Sequence, residues 1–321
     1  MSFVRKTIMA SLFIVLSFTA LGTITFAWLS VATVNAVDVM ELGALADGLE
    51  LSLTGEPTTF RKELNINDFI DTLVSLKMRD VTSVDNKAFK TLQGGPATVN
   101  VDYLTFVVYI RTSTIHDKVF LVENNLNATF DDFLPGTAVA SKGIDFYAPF
   151  DFQYKPDVIV RNGELRRYYA SNAIRLGFAE QLVDVGDYDD TRDNESLHNK
   201  IFDPSGDEIM GFGKEYGQHD FFNIMHTDPT KQISLPTVFP NTLYDFTKFS
   251  SNPNIAEDDK SLIVNLVETD LIDNSTGNPF KYGKVKINIW LEGYDADAFD
   301  SVYYDILKVR LKLKSGLIIT D

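Results

Sequence analysis

Four carboxylates crowd into nine residues directly after a strand-like run near the end of the chain. Lys286, Asn288 and Trp290 alternate with Ile287, Ile289 and Leu291, and the acids that follow are Glu292, Asp295, Asp297 and Asp300. We call residues 292–300 the acidic corner. Three kinds of chemistry fit this spacing: a cation site made of carboxylate oxygens, a carboxylate pair for acid–base catalysis, or a polar turn. The turn is the favoured interpretation, because Asp and Gly are ordinary turn formers at strand ends, and a cation site comes second.

A second acidic stretch, DPSGDE, has the oxygen density of a calcium loop. Asp203 and Asp207 are its candidate ligands, and Gly206 allows a sharp bend. The stretch lacks the twelve-residue spacing and terminal glutamate of an EF-hand loop. A polar turn is again the favoured interpretation, and Ca²⁺ is the one cofactor that the sequence suggests.

Other catalytic signatures are missing. The sequence has no cysteine and four histidines, of which His219 and His226 lie seven residues apart. Neither HExxH, GxSxG, a Walker loop nor GxGxxG occurs. We therefore expect no enzyme, and a metal-dependent hydrolase is the least favoured of the functions considered.

Alternating patterns indicate an all-β protein. Strands are expected at 49–53, 101–111, 173–179, 285–291 and 306–314, and a short helix at 65–76. The run KVFLVE at 118–123 is expected to form a hairpin with the strand at 101–111. These elements predict a single β-sandwich domain, jelly-roll or Ig-like, over residues 41–321, with a loop-rich acidic insertion at about 184–260.

The last strand carries a basic ladder opposite an apolar face. Lys308, Arg310, Lys312 and Lys314 alternate with Leu307, Val309, Leu311 and Leu313. This pattern predicts an exposed or edge strand whose lysines discourage aggregation.

The charge balance and the N-terminus bear on location. Among 321 residues, 29 Lys and Arg stand against 45 Asp and Glu, a net charge of −16, which disfavours nucleic acid and anionic lipid as partners. Arg5 and Lys6 precede an uncharged run from Thr7 to Val37, an export signature. Residues 1–27 are expected to form an apolar export helix, as a signal peptide cleaved after Ala27 or as a membrane anchor. A second candidate cleavage point follows Ala36, and the body is expected outside the cell.

Several short stretches together resemble one group of exported proteins. They are TFAWLS, ADGLELSLTG, VTSVDN, DYLTFVVYIRTS with KVFLVE, NAIRLGF and INIWLEGYDAD. This set resembles the Gram-positive and mollicute β-sandwich proteins with SipW-dependent signal peptides, the group of TasA and camelysin. A protease label attached to camelysin-like members is not carried over, because the metallopeptidase motif is missing.

The resemblance implies an extracellular β-sandwich that often forms biofilm or surface fibres. In fibre-forming members the mature N-terminal segment adds as a strand to the next subunit. The corresponding segment here is residues 28–40, a linker or donor strand with Val31, Thr33, Val37 and Val39 on one face. The expected function is a structural protein whose partners are itself or other surface proteins, and the alternative is a cation-dependent adhesin that uses the acidic loops.

Overall fold

A computed structural model describes residues 36–45, 48–133 and 135–318. The predicted export segment 1–27 and two of the predicted assembly residues, Val31 and Thr33, lie outside this range. Among the helices of the described residues, none has the length and apolar composition needed to cross a bilayer.

Strands dominate the described part of the chain, as the alternating patterns predict. In chain order they are β1 (Ala36–Ala44), β2 (Glu50–Ser52), β3 (Glu63–Leu64), β4 (Asp80–Thr82), β5 (Lys90–Thr91), β6 (Leu104–Thr112), β7 (Lys118–Leu121), β8 (Ala138–Ser141), β9 (Ile144–Tyr147), β10 (Phe152–Lys155), β11 (Val158–Val160), β12 (Leu165–Tyr168), β13 (Ile174–Gln181), β14 (Asn199–Phe202), β15 (Thr242–Leu243), β16 (Ile255–Ala256), β17 (Leu262–Asn265), β18 (Val267–Ile272), β19 (Pro279–Glu292) and β20 (Ile306–Ile318). The helices are α1 (Ile70–Leu73) and α2 (Gln218–Met225), with 3-10 turns at Ile66–Asp68, Ala170–Ala173, Asn194–Ser196 and Asp300–Val302. The all-β prediction is confirmed.

The larger sheet is built around β19. This strand pairs antiparallel with β6 and β13, and β14, β15, β18, β2, β4 and β5 extend the sheet. Alternate side chains of β19, among them Val285, Ile287 and Ile289, are fully buried in the main core. The period-two pattern of the sequence therefore places one face of this sheet inside the protein.

The smaller sheet is built around β20. It pairs in parallel with β1 and antiparallel with β7 and β8, while β3, β16 and β17 complete the sheet. Its inward side chains, such as Met40 and Leu311, belong to the same core cluster as those of β19. The two sheets thus bury one common core.

The predicted hairpin between residues 101–111 and 118–123 is wrong. β7 pairs with β17 and β20 in the smaller sheet, whereas β6 belongs to the larger sheet. The physical reason is that β19 and β2 already occupy both edges of β6. The short turn at 113–117 therefore carries the chain from one sheet to the other.

The prediction of an edge position for the basic ladder is also wrong, since β20 lies inside its sheet. The ladder is half-buried rather than fully solvated, and Lys308, Arg310 and Lys314 each lie over an aromatic ring. The Lys308 ammonium lies 4.2 Å from the centre of the Phe130 ring, and the Arg310 guanidinium lies 4.6 Å from that of Phe133. These cation–π contacts offset part of the free-energy cost of burying charged side chains.

The remaining predictions for local structure are met in part. The predicted helix at 65–76 is a 3-10 turn capped by Asn65 followed by the single turn of α1. Residues 184–260 contain β14, β15, β16, α2 and one 3-10 turn, and the rest of this stretch is loop.

Candidate functional site

The acidic corner begins where β19 leaves the larger sheet, and its first carboxylate is held by the strand itself. Glu292 Oε2 accepts a hydrogen bond of 2.8 Å from Trp290 Nε1, and Oε1 accepts one of 3.2 Å from the Tyr294 amide. Glu292 and Trp290 are both fully buried. This carboxylate therefore fixes the bend that follows the strand.

A buried arginine sits at the centre of the corner. Arg175 lies on β13 directly opposite Trp290, and its Nη2 lies 2.9 Å from Asp203 Oδ2. The same nitrogen donates to Asp295 Oδ2, while Nη1 donates to the Ile174 carbonyl at 3.1 Å. Arg175, Asp203 and Asp295 are each no more than 1% exposed. One guanidinium thus ties together two carboxylates that are 92 residues apart in sequence.

Strand pairing brings Asp203 to this position. β14 runs antiparallel to β13 with Phe202 opposite Leu176, so the residue after β14 arrives beside Arg175. Asp203 Oδ1 accepts hydrogen bonds from the Ser205 amide at 3.0 Å and the Ser205 hydroxyl at 2.6 Å. Asp203 therefore both starts the DPSGDE turn and faces the guanidinium.

Asp297 and Asp207 lie at the rim of the same cluster. Asp297 Oδ1 accepts a 2.7 Å hydrogen bond from the Tyr154 hydroxyl on β10. Asp207 Oδ1 accepts the Ile209 amide at 3.0 Å, and its other oxygen lies 3.6 Å from Lys155 Nζ. Both carboxylates are therefore engaged by protein donors.

Burial shifts the pKa values of Arg175 and of the carboxylates around it. Burial raises the pKa of Asp295 well above its usual value, and Arg175 opposes this only in part. Burial also raises the pKa of Asp203 and Glu292, and raises that of Asp297 to about 6. For Arg175, burial alone would lower the pKa, but Asp203, Asp295 and Glu292 outweigh it and raise the pKa. The arginine stays charged and its carboxylate partners hold protons more readily than in water.

Asp300 does not join this cluster. It is exposed and lies near Asp80, the first residue of β4. The Tyr303 hydroxyl donates to Asp80 Oδ2, while Asp80 Oδ1 is buried and has no hydrogen-bond partner among the described residues. Burial raises the pKa of Asp80 to about 7, and the charges of Asp300 and Glu292 add to this effect.

Of the six predicted ligands, five converge and one lies apart. Glu292, Asp295, Asp297, Asp203 and Asp207 surround the Arg175 region, although they come from two distant stretches. Sequence reasoning missed Arg175, Tyr154, Asp80 and Tyr303. The signal for Arg175 was present, since it is the one charged residue in the apolar strand IRLGF, and such residues are buried only when paired.

The acidic corner forms a hydrogen-bonded turn in the structure. The Asp295 amide donates to the Glu292 carbonyl at 3.0 Å, and the Asp297 amide donates to Asp295 Oδ1 at 2.9 Å. Within the described residues, no group of three or more His, Asp or Glu side chains has metal-binding geometry. Two surface pockets of about 480 and 660 Å³ lie elsewhere, the first beside Phe60 and Arg61 and the second beside His198 and Asp259.

The two histidines that are seven residues apart in sequence lie in α2, at His219, and directly after it, at His226. His219 Nε2 is 3.1 Å from Asn223 Nδ2 one turn later, and the His226 ring packs against Phe222 with ring centres 4.3 Å apart. Each histidine therefore contacts a residue of α2.

The predicted assembly residues that the structure describes lie on β1. Val37 is opposite Leu307 and Val39 is opposite Lys308, with a register shift between them. Both are half-buried, whereas Asp38 is exposed. This part of the predicted donor segment is thus paired with β20 of the same chain.

Comparison with known proteins gives no neighbour. No family model, no curated protein and no solved structure matches the chain. The resemblance to TasA and camelysin accordingly rests on the short sequence stretches alone.

Proposed function

We propose that this protein is an exported structural protein of the cell surface or extracellular matrix, a fibre subunit that assembles by N-terminal strand addition. In this proposal it is not an enzyme. The fold is a β-sandwich of the jelly-roll or Ig type over residues 41–321, preceded by an apolar export helix at 1–27 that serves as signal peptide or anchor. Its partners are other copies of itself or other surface proteins.

The pairing of β1 with β20 is the observation that carries the proposal. Eight residue pairs, from Ala36 with Ile306 to Ala44 with Leu313, join the two strands in parallel. Parallel strands cannot be joined by a tight turn, and here the entire body of the chain separates them. The backbone hydrogen bonds of such a strand are equally satisfied by the β20 of a second copy. β1 therefore suits exchange between subunits.

The buried state of the acidic corner supports a structural role. Its central carboxylates are almost fully buried and are bonded to Arg175, Trp290 and Tyr154. A catalytic carboxylate must contact the substrate, or the water molecule that attacks the substrate. These side chains instead secure the crossing from β19 to β20.

Recovery of the protein from fractionated cells tests the proposal. Terminal peptides would be sequenced by mass spectrometry in the medium, the envelope and the cytosol, and each fraction would be imaged by negative-stain electron microscopy. We expect extracellular protein that starts at or near Trp28, or a full-length chain at the envelope, together with filaments. Protein found only in the cytosol with Met1 retained would overturn the proposal.

A cation-dependent adhesin is the second candidate, and the convergence of Asp203, Asp207, Asp295 and Asp297 favours it. Calcium binds carboxylate oxygens, and these can come from separate loops that meet near one point. In this candidate, Ca²⁺ binds at the rim where Asp207 and Asp297 lie. The change in thermal stability and the heat of binding on addition of Ca²⁺ decide between the two functions.

A further inference from the structure

The two-stranded ribbon formed by β9 and β12 has two unlike faces. On its inner face, Phe146 and Tyr168 pack edge-on against Phe299, with ring centres 6.1 and 4.8 Å away. On its outer face, Tyr147 stands opposite Leu165 and Asp145 stands opposite Arg167. Tyr147 is 67% exposed and Leu165 is 49% exposed. The ribbon thus presents a large aromatic and a large aliphatic side chain side by side to the outside.

This outer face lies beside the point where the N-terminal segment enters the fold. The Ala36 amide bonds to the Asp305 carbonyl at 3.3 Å, and Asp305 Oδ1 accepts the Gly143 amide at 2.8 Å. A methyl group added to Gly143 would meet the Tyr169 ring and the Arg167 side chain. Ala36, Asp305, Gly143 and the outer face of the ribbon therefore form one continuous neighbourhood.

Tyr304 adds a third exposed tyrosine to this neighbourhood. It directly precedes Asp305, is 48% exposed, and has a backbone φ of 71°. A bulky residue is unusual in the left-handed region, where Gly or Asn costs less. Tyr169 is likewise 39% exposed.

The charges of this face balance, although the chain as a whole carries −16. On the outer face, Arg167 forms two hydrogen bonds of 2.7 Å with Asp145. Lys142 and Asp38 are exposed nearby and have opposite charges. The face is therefore close to neutral, and it combines tyrosines with a leucine.

The sequence limits how far this face can be from a membrane. The apolar part of the export segment ends at Leu29, and residues 30–35 are all that separate it from Ala36. A fully extended chain from Leu29 to Ala36 spans at most about 25 Å. When the export segment stays in the bilayer, the neighbourhood of Ala36 is held within that distance of the lipid surface.

We infer that this face, made of Lys142, Tyr147, Leu165, Arg167, Tyr169 and Tyr304, rests on the lipid surface when the chain is anchored. Tyrosines suit this role because their rings enter the interface while their hydroxyls stay hydrated. The balanced charges point to contact with the interface itself rather than attraction to anionic headgroups. The inference rests on the anchored form of the proposed function and adds a second membrane contact made by the folded body.

A cysteine-free chain allows a direct test by single-site labelling. Full-length Leu165→Cys would be labelled with the environment-sensitive dye NBD and reconstituted into phosphatidylcholine vesicles, and flotation would establish that the chain is anchored. The control is Ile115→Cys, because Ile115 is 75% exposed and its neighbour His116 lies 3.3 Å from Ser315, at the far end of β20. Ser315 comes nine positions after Ile306, which pairs with Ala36. The control position is therefore about 30 Å along β20 from the region of Ala36.

We expect the label at residue 165 to shift to the blue, to brighten at least twofold, and to be quenched by lipids with a spin label near the headgroup. The label at residue 115 should stay aqueous. Tyr147→Ser should halve the response at residue 165 without changing the thermal midpoint, since the side chain is exposed. Adding 30% phosphatidylglycerol or 0.5 M NaCl should change the response less than twofold.

Three results would overturn the inference. One is a floated chain whose label at residue 165 is as aqueous as that at residue 115, which leaves the proposed function intact. The second is a response that needs phosphatidylglycerol and disappears in salt. The third is a full-length chain that does not float, which removes the anchored form on which the inference rests but not export with cleavage.

Discussion

Arg175 Nη2 lies 2.9 Å from Asp203 Oδ2, and both side chains are buried beside the acidic corner, where β13 begins and β14 ends. Asp295 closes the arrangement from the other side of the same nitrogen. A buried charge of this kind tolerates little change, because each member compensates the cost of burying the others. The acidic corner therefore joins the residues that follow β14 and β19 to the start of β13 within the larger sheet.

Replacing the arginine should weaken the fold strongly. Arg175→Met leaves Asp203 and Asp295 buried without a cation, and the loss of one partner from a buried ion pair costs about 3–5 kcal/mol. For a chain of this size we expect the thermal midpoint to fall by about 10 °C. Differential scanning calorimetry at pH 7 would measure the change.

The matched control is an arginine that pairs at the surface. Arg161 Nη1 lies 2.7 Å from Asp151 Oδ2, but both side chains are at least half exposed. Surface pairs contribute about 0–1 kcal/mol, so Arg161→Met should leave the midpoint nearly unchanged. Equal effects of the two substitutions would show that the buried pair does not fasten the corner.

Stability should fall as the pH rises from 5 to 8. Burial raises the pKa of Asp297 to about 6 and that of Asp80 to about 7. In this window the folded state therefore binds more protons than the unfolded state, whose carboxyls titrate near pH 4, so the free energy of unfolding decreases as pH increases. Asp80→Asn should flatten the part of the slope near pH 7.

Below about pH 4, the free energy of unfolding should instead increase as the pH increases. Burial alone would raise the pKa of Asp190, but hydrogen bonds from Arg192 and the Val183 amide outweigh it and lower the pKa. Its contribution is therefore present above pH 4 and is lost as the pH falls further. Thermal midpoints measured from pH 3 to pH 9 should pass through a maximum near pH 5, and a midpoint that rises steadily up to pH 8 would contradict these assignments.

Calcium should leave the stability of the wild-type protein unchanged if the structural proposal is right. A ligand at 100 times its dissociation constant stabilises a folded protein by about 2.7 kcal/mol, so a 50 μM site would raise the midpoint by about 5–10 °C in 5 mM Ca²⁺. Isothermal calorimetry on the wild type and on Asp207→Asn would accompany the melting curves. Heat and stabilisation that disappear in Asp207→Asn would favour the adhesin instead.

Local alternation was enough to predict β2, β6, β7, β13, β19 and β20, but not most of the shorter strands and not the pairing partners. The patterns around Val285 and Leu311 correctly placed long strands with one buried face, but near Leu291 the other face of β19 is buried as well, at Asn288 and Trp290. The predicted hairpin between β6 and β7 was wrong because pairing depends on which strand edges are free. One edge of β6 pairs with β19, in which Lys281 stands opposite Thr112 although the two residues are far apart in sequence. For the same reason, the sequence pattern did not show that β20 has partner strands on both of its edges.

The candidate site was predictable only in its local part. The turn at Glu292 to Asp297 follows from Asp and Gly chemistry that acts over a few residues. The meeting of Asp203 with Asp295 required the register of β13 with both β14 and β19. The lone charge in IRLGF marked Arg175 as a residue that needs partners, but its sequence neighbours did not identify them.

Trapping β1 against β20 with a disulfide tests the central claim most directly. Glu41 stands opposite Arg310 in neighbouring strands, a spacing that a disulfide spans, and the chain has no other cysteine. Protein carrying Glu41→Cys and Arg310→Cys would be recovered from the extracellular fraction, oxidised and denatured. The control, Glu41→Cys alone, can form dimers at most.

If β1 completes the sheet of the next subunit, the double variant should give a covalent ladder of dimers, trimers and longer chains on a denaturing gel. Closure within one chain would give a single band of monomers with an internal disulfide. The account predicts the ladder, and monomers alone from a concentrated extracellular preparation would contradict it.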